Sequence, residues 1–160
     1  MEGGREMGGV EDPQLPGYQV TSVLGQGSMG VVYRGRHVET GQEVAIKSLQ
    51  SEDPSLQRAL ANEWEVLARI EHPFLINERE LITRNQTTYL IMEYFESVNL
   101  LKWIEQTESA QRSIQAGPLF DKVCQVLSYL HGQSPPVIVR DLKPDNILVN
   151  TQGDIKLIDF

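Results

Sequence analysis

The sequence predicts an α+β chain in which a β-rich lobe comes first and a helix-rich lobe follows. Three observations carry that expectation. Between Tyr18 and Phe95, short apolar and β-branched runs recur, separated by turn residues. Beyond Phe95 the apolar residues recur at three and four positions instead. The composition, 40% hydrophobic and 22% charged over 160 residues, is that of a chain able to bury a core.

The N-terminal residues 1–16, MEGGREMGGVEDPQLP, are rich in Gly, Glu and Pro and predict a disordered leader. YQVTSVL alternates, with Tyr18, Val20 and Leu24 on one side. VVYRGRH and EVAIKSL are strands joined by a turn at ETGQ. EDPSLQRALANEWEVLARIEHP then predicts a helix: Asp53 suits the N-cap, Pro54 the first helical position, and Pro73 ends the segment. RELITR and TYLIMEYF flank the turn NQTT, giving five strands with one helix inserted after the third. In the second lobe NLLKWIEQ sets Leu100, Trp103 and Ile104 on one face. PLFDKVCQVLSYLHG sets Leu119, Phe120, Val123, Val126, Leu127 and Leu130 at helical spacing and ends at Gly132. VIVRDLKPDN is a loop, and ILVNTQGDIKLIDF is a hairpin turning at TQGD. The expected boundaries are a leader at 1–16, a first lobe at 17–95 and a second at 96–160.

The bulk numbers exclude some functions. A net charge of -8 argues against a nucleic-acid or anionic-membrane partner, since both need a basic face. A single cysteine, Cys124, forbids an internal disulfide and points to a reducing compartment. There is no run of 18 apolar residues and no signal-type N-terminus, so the expected location is cytoplasmic. His37, His72 and His131 are scattered without metal-ligand spacing.

LGQGSMGVVYRG, residues 24–35, carries glycines at 25, 27 and 30. In a dinucleotide-binding fold the third glycine opens a helix, but here Gly30 opens the strand-like VVYRG. A Gly-Lys-Ser or Gly-Lys-Thr phosphate loop is absent too. What remains is a glycine-rich hairpin, which either covers phosphate or simply turns. Lys47 lies within the strand VAIKSL, where an ammonium calls for a partner. The predicted helix has an apolar stripe of Leu56, Leu60, Leu67 and Ile70, and Glu63 falls on it. An inward Glu63 and an inward Lys47 would satisfy one another and form a phosphate clamp. RDLKPDN adds Asp141, Lys143 and Asn146, and Asp159 closes the strand IKLID. Phosphoryl transfer needs such groups: a carboxylate to accept the hydroxyl proton, a cation against the moving phosphoryl, and oxygen ligands for magnesium.

Taken together, GQGSMGVV, VAIK, the inward Glu63, RDLKPDN and the final DF resemble the N-terminal part of a eukaryotic-type (Hanks-type) serine/threonine protein kinase, in a style often met in bacteria. The resemblance covers about residues 17–160. It implies a protein-kinase-like fold, with a five-stranded antiparallel N-lobe sheet, one inserted helix and a truncated, mainly helical C-lobe. By the same resemblance Gly25, Gly27 and Gly30 cover the ATP phosphates, and Leu24, Val32 and Ala45 line the adenine side. Lys47 meets the α- and β-phosphates and pairs with Glu63. Met92 stands at the back of the adenine pocket, and Glu93 to Phe95 form the linker that bonds adenine. Asp141 matches the catalytic base and Lys143 the γ-phosphate contact. Asn146 and Asp159 match the ligands of Mg2+ (or Mn2+). DLKPDN is the form found in enzymes acting on protein Ser or Thr. Val139 departs from the usual His, and Met29 from a usual aromatic. The chain stops at Phe160, inside the Asp-Phe-Gly motif. The expectation is therefore a truncated catalytic domain with little turnover of its own and an uncovered apolar face on its long helix. Two alternatives stay open: a non-catalytic nucleotide-binding or pseudokinase-like module, and a small-molecule kinase of the same superfamily.

Overall fold

A computed structural model describes residues 12–27, 30–50, 64–65 and 68–159. The chain divides into two compact units, the first taking residues up to Ile70 together with Asn77–Tyr94, the second taking Glu71–Ile76 and Phe95–Phe160. The predicted boundary fell one residue later. It also left residues 71–76 in the first lobe, whereas their backbone bonds run to the second: the Ile76 amide donates to the Leu157 carbonyl at 3.0 Å, and the Leu157 amide to that of Phe74 at 2.8 Å.

The first unit is one antiparallel sheet. Strands β1 (Tyr18–Gly27), β2 (Gly30–His37), β3 (Glu43–Gln50), β4 (Glu78–Arg84) and β5 (Thr87–Glu93) lie in the order β1-β2-β3-β5-β4. The turn between β2 and β3 closes at Gly41, whose φ of 69° favours glycine. The β4–β5 turn is the two-residue kind, Asn85 and Gln86 both having positive φ, so Arg84 pairs with Thr87. Of the inserted helix only Trp64 and Glu65 are described. The expected cap at Asp53 and the inward Glu63 lie outside the described residues.

Strand alternation divides the sheet into two files of side chains. Val31, Tyr33, Val44, Ile46 and Ile91 form a buried cluster on one face, with Val20 beside them. Leu15 joins this cluster and is only 4% exposed. This corrects the expected leader, because its last residues belong to the core. The Tyr18 amide donates to the Leu15 carbonyl at 3.2 Å and the Val38 amide to that of Gly17 at 2.9 Å, which turns the chain over the sheet. A single leucine in a polar segment has no periodicity by which to announce itself.

The second unit is built on a small sheet. Strands β6 (Val98–Asn99), β7 (Ile147–Val149) and β8 (Ile155–Leu157) are ordered β6-β7-β8. The hairpin expected from ILVNTQGDIKLIDF forms, its second strand ending at Leu157, and β6 adds an edge too short to read from sequence. Helix α1 (Leu100–Gln106) is capped by Asn99, whose Oδ1 accepts from the Lys102 amide at 2.9 Å. It buries no residue fully: of the predicted face, Leu100 and Trp103 are half-buried and Ile104 is exposed. Helix α2 (Ser109–His131) starts nine residues before the predicted proline start and carries Pro118 inside it. Its core stripe is Leu119, Val126 and Leu130, while Phe120, expected on that stripe, is 68% exposed. Those three residues fall at offsets of seven and four, a narrower seam than the spacing predicts.

Candidate active site

Each unit holds part of the expected site. In the first, the strand register sets the residues in one file: Gly25 opposite Val32, Val32 opposite Lys47, Ala45 opposite Met92, and Lys47 opposite Leu90. Directly paired residues share a face, so Val32, Ala45, Lys47 and Met92 project together, away from the buried cluster. Ala45 and Met92 are buried, and Lys47 and Val32 are half-buried. Leu24 sits at an irregularity between the Val23 and Gly25 pairings and is 46% exposed. Glu93 ends β5. Its backbone amide donates to the Asn77 carbonyl at 2.9 Å, and its Oε1 accepts from the Asn77 amide at 2.8 Å. Phe95, which begins the second unit's long segment, accepts at its carbonyl from the Ser97 hydroxyl at 2.8 Å.

The three glycines separate into two kinds. Gly30 has φ +123°, and a Cβ there would lie 2.2 Å from the Ser48 carbonyl oxygen. The sheet itself demands glycine at 30. At Gly25 and Gly27 a Cβ would meet nothing within 4 Å, and neither has a positive φ. Packing and backbone geometry leave those two glycines unexplained, which favours close approach of a ligand over a plain turn. Gly27 pairs with Gly30 across the hairpin, whose tip residues Ser28 and Met29 lie outside the described residues.

Two first-unit features were not anticipated from sequence. Arg34 Nη2 donates to both carboxylate oxygens of Glu43, at 2.8 and 2.9 Å. Its guanidinium lies 4.3 Å from the centre of the Tyr94 ring, beside the Glu93–Phe95 linker. Ser48 occupies the inner file with Val44 and Ile46 and is 3% exposed. The signal available for Ser48 was a hydroxyl in a row that is otherwise aliphatic.

In the second unit RDLKPDN folds on itself. Lys143 Nζ forms an ion pair with Asp141 Oδ2. Asn146, at the end of a 3-10 turn over Pro144–Asn146, is 7% exposed, and its Nδ2 donates to the Asp141 carbonyl at 3.0 Å and to Asp141 Oδ2 at 3.4 Å. The Asn146 carbonyl accepts from the Ile158 amide at 2.9 Å, which binds the loop to the residue preceding Asp159. Asp159 has φ 55°, a conformation that non-glycine residues rarely adopt. The hydrogen bond that Lys143 donates to the Asp141 carboxylate raises the Lys143 pKa above its ordinary value, and the charges of Asp141, Asp145 and Asp159 add to this. Lys143 is therefore a cation throughout the neutral range. With Asn146 Nδ2 engaged as donor, its Oδ1 is the amide oxygen left to bind a hard cation, and Asp159 offers a carboxylate. Magnesium takes few protein oxygens of this kind and completes its shell with phosphate and water, so the donor set fits it. Among the described residues no group of three His, Cys, Asp or Glu is placed to hold a metal.

A family model for the protein kinase domain matches residues 18–160. The chain belongs to the protein kinase family. The kinase chain is 33% identical to the SNF1-related protein kinase catalytic subunit alpha KIN12 of Arabidopsis thaliana, over 91% of this chain and 30% of that protein. It is 34% identical to CBL-interacting protein kinase 12 of Oryza sativa, over 89% of this chain and 26% of that protein. It is 29% identical to the serine/threonine-protein kinase PknD of Chlamydia muridarum, over 89% of this chain and 16% of that protein. The kinase chain thus spans under a third of the length of these curated relatives. No described helix is long and apolar enough to cross a membrane.

Proposed function

We propose that these residues carry the nucleotide-binding and catalytic loops of a cytoplasmic protein kinase that moves the γ-phosphoryl of ATP to a Ser or Thr hydroxyl of a protein. The observation that supports this most is the folded RDLKPDN loop, in which Lys143 and Asn146 both bond the Asp141 carboxylate. Asp141 accepts the proton of the acceptor hydroxyl as its oxygen bonds the γ-phosphorus and the bond to the β–γ bridging oxygen breaks, releasing ADP. Lys143 offsets the negative charge on the moving phosphoryl. Asn146 and Asp159 would hold Mg2+, which neutralises phosphate charge when bound. Gly25 and Gly27 admit the phosphates, Gly30 closes their hairpin, and Lys47 bonds the α- and β-phosphates. Leu24, Val32, Ala45 and Met92 pack the adenine, and the Glu93–Phe95 backbone bonds it.

The test is transfer of label from γ-labelled ATP, with Mg2+, to a mixed Ser/Thr peptide library. Labelled phosphoserine or phosphothreonine that is lost in Asp141→Asn supports the reading. Mg-ATP binding without transfer, unchanged in Asp141→Asn, would leave a nucleotide-binding module instead.

A further inference from the structure

The glycine hairpin must be open enough to receive phosphate, yet fixed in place over it. Beyond the Val32–Lys47 pair, the β2–β3 ladder has no further residue pairing. Ser48 then replaces the ladder with its side chain. Its Oγ accepts from the Val31 amide at 2.8 Å and donates to the Val31 carbonyl at 3.0 Å, and both bonds are buried. One hydroxyl thus satisfies both polar groups of one β2 residue. On its other side Ser48 is paired in the ladder with Tyr89 of β5, so the hydroxyl is carried by a fixed strand. Gly30 permits this contact, because any Cβ there would strike the Ser48 carbonyl and hydroxyl oxygens, at 2.2 and 2.8 Å.

We propose that Ser48 is a positioning residue for nucleotide binding: its hydroxyl pins the foot of the glycine hairpin to β3 and so sets where the hairpin amides meet the phosphates. The proposal rests on the phosphate-covering reading of the hairpin. Ser48 lies in the inner file, on the face of the sheet opposite Ala45 and Lys47. A lost pin leaves the adenine contacts intact and blurs only the hairpin. The diagnostic quantity is therefore the ratio of affinities for Mg-ATP and adenosine, which a purely structural serine would not move.

The experiment compares wild type, Ser48→Ala, Ser48→Thr and Ser48→Val by calorimetric titration with Mg-ATP and with adenosine, in the full chain and at a temperature where each is folded. Thr and Val have the same shape and differ by the hydroxyl. The ATP-to-adenosine preference is expected to fall about three- to tenfold in the Ala and Val variants, the range spanned by one neutral hydrogen bond, and to persist in Thr. An equal preference in all four proteins overturns the proposal and leaves the kinase reading standing. A wild type with no preference for ATP over adenosine overturns both. Should the Ala and Val variants fail to fold, amide exchange on the nucleotide-free wild type decides. Val31 exchanging as slowly as the β2–β3 ladder amides supports the pin, and Val31 exchanging as fast as Gly27 overturns it.

Discussion

Replacing Gly30 by alanine introduces two separate penalties. A φ of +123° is a conformation that L side chains rarely adopt, worth about 1–3 kcal/mol in strain. The new Cβ would also stand 2.2 Å from the Ser48 carbonyl oxygen, a backbone atom that cannot swing aside. The combined cost is about 3 kcal/mol or more, which in a chain of this size lowers Tm by roughly 6–12 °C. Gly25→Ala and Gly27→Ala meet neither penalty, since space is open and φ is ordinary. They are expected to leave Tm unchanged or raise it slightly, because alanine restricts the unfolded chain more than glycine does. Their effect falls on binding: a methyl where backbone and phosphate should meet weakens Mg-ATP by about tenfold. Thermal unfolding and calorimetric titration of the three variants separate the two behaviours. If Gly25→Ala and Gly27→Ala unfold as early as Gly30→Ala and bind Mg-ATP as wild type does, all three glycines serve the hairpin alone and the phosphate reading loses its support.

Leu15→Ala removes a side chain that is 4% exposed from the sheet's cluster and is expected to cost about 2 kcal/mol or more by urea unfolding, where a disordered leader would show no change. Asp141→Asn is expected to abolish phosphoryl transfer in the labelled-ATP assay while retaining Mg-ATP affinity within a few-fold. His72 adds a pH dependence to the second unit. Its Nδ1 accepts from the Phe74 amide at 3.2 Å, and burial, with the nearby Lys156 charge, lowers its pKa below the ordinary 6.5. The unfolded chain therefore binds the proton first, so stability should fall as pH drops through about 6.5. His72→Gln should flatten that slope in chemical unfolding between about pH 7.5 and 5.5, and an unchanged slope would exonerate the histidine.

The legible parts of the fold were those with a period. Five strands and the second-lobe hairpin follow from alternation and turn residues, and the residues that pair Val32 with Lys47 and Ala45 with Met92 sit where that alternation puts them. What escaped had no period to show. Leu15 is one apolar side chain among polar neighbours, and β6 is two residues long. Pro118 reads naturally as a helix start, yet α2 runs through it from Ser109. The candidate site reads in the sequence as a set of residue types in order, of the kind that phosphoryl transfer needs. The bond from Asn146 Nδ2 to Asp141 does not, since it depends on the 3-10 turn that aims the amide.

Strand β3 shows why sequence and site meet so closely in the first unit. Its residues alternate between two files, Val44, Ile46 and Ser48 toward the buried cluster, Ala45 and Lys47 toward the opposite face. A shift of register by one residue would exchange the files, burying the Lys47 ammonium in an aliphatic cluster and exposing Ile46. The hydrophobic file therefore fixes the face on which Lys47 lies. Ser48 extends the same logic by one position. Because it lies in the inner file, its hydroxyl is screened from water, and its two bonds to Val31 compete with no solvent. One strand thus orients the lysine on one face and anchors the glycine hairpin from the other.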